Sequence, residues 1–456
     1  MPFKIDARYQ EEKQLPLFEI ENTLQSSSKN NGEVSFSDPA FISNKTLPIH
    51  RWVPWIAGFS SEFVRNTLNR YLDKQGTVLD PFAGVGTTLI EAILAGHRAI
   101  GFEINPYAAM ACQAKLNACG IDIDNLHREI AQFRAFYHEK VASNYTPISV
   151  PPKGFKTRAD FYSPAVLRKV LIMHDFIDNI MDIKIQDLFK LAFASTMIRY
   201  SNYSYEPSLG RRVSSGKEEI LDFPVIGTIL HKLNEMAKDI IWFQGQMRDK
   251  PINGEIIHDS FFQHYDYVAS ESVDLIITSP PYLNNYHYIR NTRPQLYWLG
   301  YAEHPQDLKY LETTNFGKYW QTTREQECVA IDFELDDVDI NERLEALRQL
   351  HPEKGIYGGN GWANYAASYF NDCHRFSSGI KNVLKPGGRA LVVIGNSILQ
   401  GVLIPTDQYF GKIAEAVGLE LVKIDIPRAT RVGNSIIQSS VRVERAKKRI
   451  SSMKLW

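Results

Sequence analysis

The stretch TVLDPFAGVGTT at residues 77–88 decides the fold. Its first residues have the apolar character of a buried strand, its two glycines permit a tight turn, and the apolar segment from Leu89 to Ala95 has the composition of a helix. A second apolar run, from Arg98 to Phe102, ends at Glu103. A strand, a glycine turn, a helix and a second strand in this order predict an α/β domain built on a parallel sheet.

The glycine turn predicts a nucleoside site without a phosphate partner. No lysine follows its second glycine, as a P-loop requires, and the turn is not a complete G-x-G-x-x-G fingerprint. Asp80 precedes the turn, and Glu103 lies about 20 residues beyond the glycines, where an acidic residue holds a ribose diol. Such a site suits S-adenosylmethionine, which carries a ribose and a charged amino-acid tail but no phosphate. A dinucleotide-binding domain is the alternative.

A second informative stretch, TSPPY at residues 278–282, follows the apolar run from Val273 to Ile277. Two consecutive prolines cannot extend a central strand, because they lack the N–H groups that a ladder needs. The strand therefore ends in a rigid corner at its carboxyl end, the edge where open α/β sheets bind ligands. The corner offers the Ser279 hydroxyl, backbone carbonyls and the Tyr282 ring. These groups can hold a planar ring that carries an amino group.

Ser-Pro-Pro-Tyr together with Asp-Pro-Phe-Ala-Gly-Val-Gly-Thr-Thr resembles the motifs of DNA amino-methyltransferases, which methylate cytosine N4 or adenine N6. The resemblance implies a Rossmann-like class I methyltransferase sheet and S-adenosylmethionine as cofactor. It implies a catalytic set of Ser279, Pro280, Pro281 and Tyr282. The cofactor-binding residues implied around the glycine turn are Asp80, Pro81, Phe82, Gly84, Gly86, Thr87, Thr88, Glu103 and Ile104.

Two further segments fit the same resemblance. Residues 256–259 read as a short strand, and Asp259 would accept from the adenine amino group of the cofactor, with Ser260 beside it. The alternative is that one of these two residues caps a helix. Residues 50–63 resemble the segment that covers the cofactor in related enzymes, with Phe59 and Ser60 as candidate contacts. The alternative there is a capped helix that starts at Ser60 or Ser61.

The remaining strands of the sheet are expected near the carboxyl terminus. Residues 383–389 contain Pro-Gly-Gly and end a helix, and the apolar strand 390–394 follows. Two closing strands are predicted at 419–426 and 435–443.

The chain is longer than one such domain, so insertions are expected. About 150 residues separate Glu103 from Asp259, far more than a crossover between parallel strands requires. The sequence predicts a mainly helical insertion at 121–250, with helices at 164–178 and 185–198, and a second insertion at 301–363 that serves as a lid or a DNA contact. A polar arm occupies 1–45, which leaves 46–120, 251–300 and 364–456 for the methyltransferase domain.

Candidate DNA contacts lie in two places. Basic and aromatic residues alternate at 199–217, where Arg can contact phosphates and Tyr can stack on bases; a solvated loop is the alternative. Residues 283–293 continue the catalytic corner and by resemblance line the target-base pocket. Which insertion reads the target stays open. The candidates are Arg199, Tyr203, Arg211, Arg212, Lys217, Asn285, Tyr286, Tyr288 and Arg293.

The resemblance implies a site-specific enzyme that methylates a base flipped out of double-stranded DNA. In this family a Ser before Pro-Pro accompanies N4-cytosine and an Asp or Asn accompanies N6-adenine, so Ser279 favours cytosine. An adenine-N6 enzyme is the alternative, and a catalytically silent nucleic-acid-binding subunit of the same fold is the alternative from another class. The family also implies a restriction-modification or defence setting, with a cognate restriction enzyme or defence-system subunit as partner.

Composition is compatible with this interpretation. The 51 Lys and Arg nearly balance the 52 Asp and Glu, which argues against an indiscriminate polycation but allows a local basic face. No apolar stretch reaches the length of about 18 residues that a membrane helix needs, so no membrane association is expected. The four cysteines lack metal-ligand spacing, so we expect no metal and a cytoplasmic protein with reduced thiols.

Overall fold

The computed structural model describes residues 44–55, 58, 60–205, 209–248, 250–283, 287–336 and 338–425. Nearly all of the predicted polar arm and the predicted strand at 435–443 lie outside these residues. So do three candidate site residues, Phe59, Asn285 and Tyr286.

The described residues form nine strands, and five of them make one parallel sheet in the order β5-β2-β1-β6-β7. The other four pair as two short antiparallel hairpins, β3–β4 and β8–β9. The strands are β1 Thr77–Asp80, β2 Arg98–Phe102, β3 Tyr203–Tyr205, β4 Leu209–Arg211, β5 Gly254–Ile257, β6 Val273–Thr278, β7 Leu384–Val392, β8 Ser397–Leu399 and β9 Val402–Ile404.

The strand order confirms the Rossmann-like class I methyltransferase sheet. From β1 the chain moves outward through β2 to β5, and then returns to the other side of β1 with β6 and β7. Strand order therefore reverses between β1 and β6, and a crevice opens at the carboxyl ends of the strands at such a point. The glycine turn follows β1 and the Ser-Pro-Pro-Tyr corner follows β6. Both motifs thus meet at this crevice.

Fourteen helices occur in the described part of the chain, and several begin with a side-chain cap. Asn105 caps α3, Asp122 caps α4 and Asp182 caps α6, each through its side-chain oxygen. The helices are α1 Ser61–Tyr71, α2 Thr87–Leu94, α3 Pro106–Leu116, α4 Ile123–Ala142, α5 Pro164–Ile177, α6 Ile183–Thr196, α7 Val225–Met247, α8 Tyr288–Asn291, α9 Arg293–Trp298, α10 Pro305–Thr314, α11 Trp320–Thr323, α12 Ile340–Arg348, α13 Gly359–Val383 and α14 Thr406–Ala416.

The sheet is covered by helices, as its continuous apolar strands require. On one face, α13 buries Tyr369, Phe370 and Phe376 in a core that also contains Leu79 of β1 and Ile276 of β6. Helix α2 contacts β1 and β2. None of the helices that the structure describes combines the length and the apolar character needed to cross a bilayer.

The long connection between β2 and β5 is largely helical, as predicted. Helices α4 to α7 fill it, and Phe133 of α4 packs against Phe176 of α5 and Phe189 of α6 at ring-centroid distances of 5.3 and 5.5 Å. In its described residues, the segment 199–217 contains the β3–β4 hairpin and parts of two short 3-10 turns, so it is not simply a solvated loop.

Three expectations about the carboxyl-terminal part need correction. Strand β7 begins at Leu384 rather than at 390, because residues 385–388 form a bulge between the Val273–Leu384 and Leu275–Arg389 pairs. The predicted strand at 419–426 is wrong for its described residues, since 419–425 have no strand pairing. The proposed boundary between 363 and 364 falls inside helix α13.

Candidate active site

A cavity lies at the carboxyl ends of β1, β2 and β6, and residues from both motifs form its wall. Parallel strands deliver their following residues to one edge of the sheet, so segments far apart in the sequence meet there. The predicted site residues in this wall are Pro81, Phe82, Gly84, Thr87, Glu103, Ile104, Asp259, Ser260, Ser279, Pro281 and Tyr288.

The glycine turn exposes its backbone to the cavity. Gly84 and Gly86 have φ angles of 52° and 83°, a region that favours glycine. A Cβ at Gly84 would lie 3.1 Å from the Trp55 indole nitrogen, so the indole lies directly over the turn. A Cβ at Gly86 would lie 2.5 Å from the Cys112 sulfur, so the other side of the turn is packed closely against α3.

Asp80 holds the turn from behind and is not part of the cavity wall. Its carboxyl group, only 1% exposed, accepts hydrogen bonds from Thr88 Oγ1 at 2.6 Å, Thr278 Oγ1 at 2.7 Å and the Phe82 N–H at 3.0 Å. Burial outweighs these bonds and raises the pKa of Asp80 to about 6. Thr88 and Gly86 are likewise absent from the wall. Through Thr278, Asp80 ties the glycine turn to the strand that ends in Ser-Pro-Pro-Tyr.

Glu103 faces the cavity with its carboxylate oriented by two backbone donors. The Gly84 N–H donates to one oxygen at 2.9 Å, and the Asn105 N–H donates to the other at 2.7 Å. Burial raises the pKa of Glu103 to about 7, although both backbone bonds lower it. A carboxylate oxygen has two lone-pair sites, so each oxygen keeps capacity for a further donor such as a ribose hydroxyl.

Of the two residues for which the sequence left a cap or a cofactor contact open, Ser260 is a cap, and both Ser260 and Asp259 lie at the cavity. Asp259 accepts from the Ser260 N–H at 2.7 Å and from the Tyr267 hydroxyl at 2.9 Å. Ser260 caps the 3-10 turn 261–266 and accepts from the Phe262 N–H at 3.3 Å. Both residues also line the cavity.

The catalytic corner presents part of its predicted set to the cavity. Ser279 Oγ donates to the Val393 carbonyl at 3.2 Å and lies 3.3 Å from the Tyr282 hydroxyl. The Tyr282 ring packs against the backbone of Gly395, where a Cβ would lie 2.9 Å from a ring carbon. Burial raises the pKa of Tyr282, so its phenol stays protonated at neutral pH. Ser279 and Pro281 line the cavity, whereas Pro280 and Tyr282 lie beside it.

The segment before β1 reaches the site through residues other than those predicted. Ser60 is buried and caps α1, accepting from the N–H groups of the two residues that follow Ser61. It is absent from the wall, but Trp55 and Gly58 of the same segment are part of it. Trp55 stacks on Tyr288 at 6.3 Å. The resemblance indicates this segment but does not indicate that Trp55 is the residue that reaches the cavity.

The DNA-contact candidates of the helical insertion differ in how far they are exposed. Tyr203 is 7% exposed and stacks on Phe161 at 5.5 Å, so its ring is core and is not presented to a base, contrary to expectation. Arg199 is exposed. Arg211 pairs with a glutamate at 3.6 Å, and Arg212 Nε donates to a backbone carbonyl at 2.9 Å.

Lys217 is exposed at the end of the same segment, whereas Arg293 lies elsewhere, at the start of α9. Arg293 donates to the Lys156 carbonyl at 2.9 Å, and its guanidinium lies 5.6 Å from the ring centroids of Phe155 and Tyr297. Arg293 therefore joins the catalytic domain to the segment before α5.

The second insertion contributes to the cavity through residues that the sequence analysis missed. Asn315 and Phe316 line it, and the Phe316 ring contacts the Phe82 ring edge-on at 5.2 Å. Asn105 is also in the wall, and its side chain donates to Thr292 Oγ1 at 2.9 Å. These residues follow no motif, and their positions depend on long-range packing.

The wall has the chemistry expected for S-adenosylmethionine. Among its described residues are two carboxylates, Glu103 and Asp259, and no Lys, Arg or His. A phosphate-bearing ligand would lack a cationic partner here, whereas a positively charged, phosphate-free nucleoside is compatible with the two acids. Apolar rings such as Phe82, Phe261 and Phe316 supply a surface for a base. The described residues contain no cluster of His, Cys, Asp and Glu suited to a metal ion.

Comparisons with known proteins agree with this site. A sequence model of a DNA methylase family matches residues 6–115. The chain is 26% identical over 433 residues to the Type II methyltransferase M.BsoBI of Geobacillus stearothermophilus, which covers 87% of this chain and 83% of that protein. It is 24% identical to the Type II methyltransferase M.AvaI of Anabaena variabilis, in a match that covers 87% of this chain and 84% of that protein. It is also 24% identical to the Type II methyltransferase M.MvaI of Kocuria varians, in a match that covers 72% of each protein. A match over 87% of the chain necessarily spans both motifs.

Proposed function

Because the chain is an amino-methyltransferase of the N4-cytosine/N6-adenine class that uses S-adenosylmethionine, we propose that it methylates the exocyclic N4 of cytosine at a specific site in double-stranded DNA. One observation carries this proposal. Ser279 and Pro281 line the same cavity as Gly84 and Glu103, so acceptors for an amino group share one space with the cofactor turn.

Ser279 and the Pro280 carbonyl act as the acceptors. The Ser279 hydroxyl donates its proton to the Val393 carbonyl, which leaves an oxygen lone pair for one hydrogen of an amino group, and the Pro280 carbonyl accepts the other. The amino lone pair is normally delocalised into the ring, and two acceptors favour the geometry that frees it. The amine becomes positively charged during transfer, and the same acceptors stabilise that charge.

When bound, S-adenosylmethionine supplies a methyl group on a positively charged sulfur, which is already an activated leaving group. The protein therefore contributes mainly orientation, which in well-positioned reactions is worth about 7–11 kcal/mol of the barrier. Asp80 serves this role indirectly, since its bonds to Thr278 and Thr88 fix the catalytic strand and the glycine turn relative to each other.

Cysteine chemistry is not part of the proposed reaction. None of the four cysteines, all of which the structure describes, lines the cavity. Burial raises the pKa of Cys112 to about 12 and also raises the pKa of Cys373, so both remain protonated and unreactive at neutral pH. Attack on a ring carbon by a thiolate, which methylation of cytosine C5 would need, has no candidate here.

The target base reaches this cavity by leaving the duplex, since the amino group is otherwise inside the stack. Tyr288 lines the cavity and Tyr282 lies beside it, so both rings are close enough to serve as stacking surfaces for the base. The β3–β4 hairpin stands nearby: Tyr205 donates to the Asn291 carbonyl at 2.7 Å, and the Leu209 N–H donates to the Asn291 side chain at 3.3 Å. This attachment supports target recognition by the helical insertion.

The choice of cytosine rests on Ser279, because a Ser before Pro-Pro accompanies N4-cytosine in this family. Adenine N6 is the second candidate, and a silent nucleic-acid-binding subunit is the third. The similarity to Type II methyltransferases supports a restriction-modification setting with a cognate restriction enzyme as partner.

The proposal is tested by methyl transfer from labelled S-adenosylmethionine to duplex DNA of varied sequence, followed by mapping of the modified positions. We expect one recurrent sequence context for the wild type and a rate lower by about 100-fold for Ser279→Ala, as when one transition-state hydrogen-bond partner is removed. Ser195→Ala is the matched control, because its hydroxyl also donates to a backbone carbonyl, at 3.3 Å, within α6. Transfer by Ser279→Ala at the wild-type rate contradicts the assigned role, and no transfer by the wild type supports the silent subunit.

A further inference from the structure

The tyrosine hydroxyl of helix α13 contacts the catalytic corner. Tyr369 is fully buried, and its hydroxyl donates to the Pro281 carbonyl at 3.1 Å across a sequence separation of 88 residues. We propose that Tyr369 is a positioning residue for methyl transfer, which fixes the carbonyl geometry of Ser-Pro-Pro-Tyr without touching the substrate. This inference rests on the function proposed above.

The corner needs such support because its prolines cannot donate. On one side it is fixed by the continuation of β7: the Val393 N–H donates to the Thr278 carbonyl at 2.9 Å, and Ser279 donates back to the Val393 carbonyl. A further contact joins Ser397 Oγ to the Leu283 carbonyl. On the other side, Tyr369 of α13 contacts the second proline.

Fixing the Pro281 carbonyl also orients the Pro280 carbonyl. The Tyr369 hydroxyl sets the direction of the Pro281 carbonyl and therefore the ψ angle of Pro281. The pyrrolidine ring holds φ of Pro281 near −65°. The peptide plane that carries the Pro280 carbonyl is therefore fixed in orientation relative to the Pro281 carbonyl. The Tyr369 hydroxyl donates to the Pro281 carbonyl. The Pro280 carbonyl is then left free to accept from the amino group of the target base.

The second insertion holds the Tyr369 ring in place. Phe316, which lines the cavity, contacts the ring edge-on at 5.4 Å. Gly317 has a φ of 70°, and a Cβ there would lie 2.7 Å from a ring carbon of Tyr369. The Gly317 N–H donates to the Asp372 carboxylate at 2.9 Å, one helical turn further along α13. One turn of the second insertion thus packs on the residue that orients the corner.

Tyr369→Phe tests the proposal, because it keeps the ring and removes only the hydroxyl. We expect the single-turnover rate of methyl transfer, measured per titrated active site, to fall by about tenfold to 100-fold, the size of effect that a misplacement of about 1 Å produces. The dissociation constants for S-adenosylmethionine and for DNA should change by less than about threefold, because the cavity wall is intact. A purely structural role would lower the fraction of active protein and leave the rate per active site unchanged.

Tyr137→Phe is the matched control. The Tyr137 hydroxyl is buried in α4 and has no hydrogen-bond partner among the described residues, so its removal should leave the rate unchanged. Gly317→Ala is the second variant; it retains the Tyr369 hydroxyl but presses on the ring, and should show the same loss of rate with binding retained. The proposal is overturned if Tyr369→Phe transfers methyl groups within about twofold of the wild-type rate or, where that variant does not fold, if Gly317→Ala does so. A wild type that transfers no methyl group contradicts instead the function on which the inference rests.

Discussion

We predict that Glu103 makes cofactor affinity depend on pH. Its carboxylate lines the cavity, receives the Gly84 and Asn105 N–H groups, and has a pKa raised to about 7 by burial. If it accepts the two hydroxyls of a ribose, the ionised form binds more tightly than the protonated form, because only the carboxylate is a pure acceptor. Affinity should therefore decrease as the pH falls through 7.

The magnitude follows from the ionised fraction. With a pKa of about 7, roughly one tenth of Glu103 is ionised at pH 6 and roughly nine tenths at pH 8, so the dissociation constant should be up to about tenfold weaker at pH 6. Binding at pH 7 should also release about half a proton from this group. Isothermal titration calorimetry with S-adenosylmethionine gives both quantities, the second from buffers of different ionisation enthalpy.

Glu103→Gln is the matched control, since glutamine keeps the shape and cannot titrate. Any proton uptake or release by the cofactor itself is common to both proteins and cancels in the comparison. The variant should bind more weakly at pH 8 and show a flatter pH profile. Equal pH dependence of the two proteins between pH 6 and 8 would refute the assignment of Glu103 to the ribose.

Three further predictions concern the turn, the strand and the DNA surface. Thr278→Val removes the hydroxyl that donates to buried Asp80 at 2.7 Å, so it should cost about 2 kcal/mol of unfolding free energy in denaturant titrations; no loss of stability contradicts this role. Gly84→Ala forces alanine to a φ of 52° and toward the Trp55 indole, which should cost about 1–2 kcal/mol and weaken cofactor binding in calorimetry; unchanged affinity contradicts a turn that passes close to the cofactor. Arg199→Ala should weaken DNA binding uniformly across sequences and lower the salt slope by about one, and an unchanged slope places Arg199 away from the phosphates.

The fold was predictable because its decisive segments are local patterns. Strand β1, the glycine turn and α2 follow directly from TVLDPFAGVGTT, and two prolines force β6 to end at Thr278. Parallel strands then bring both motifs to one edge whatever lies between them. This is why the cavity wall contains most of the predicted cofactor residues and two of the predicted catalytic residues.

The missed features depend on contacts between distant residues. Asp80 ends β1 at the expected place, but its three donors turn it into a buried support, which no spacing indicates. Tyr203 alternates with basic residues as a nucleic-acid contact does, yet Phe161 packs on it. Phe316 and Tyr369 belong to no motif, and the resemblance of segment 50–63 does not single out Trp55. Each of the three contacts a site residue that is 29 or more positions away in the sequence.

The most direct test of the proposed reaction is the identity of the methylated base. Unmethylated duplex DNA is incubated with the wild type and S-adenosylmethionine, digested to nucleosides and analysed by mass spectrometry, with Tyr282→Ala in parallel. The expected result is N4-methylcytosine from the wild type and a strongly reduced amount from the variant, whose lost ring packs on Gly395 and contacts Ser279. N6-methyladenine would contradict the use of Ser279 as the mark of a cytosine enzyme, and the absence of any methylated base would contradict catalysis on DNA.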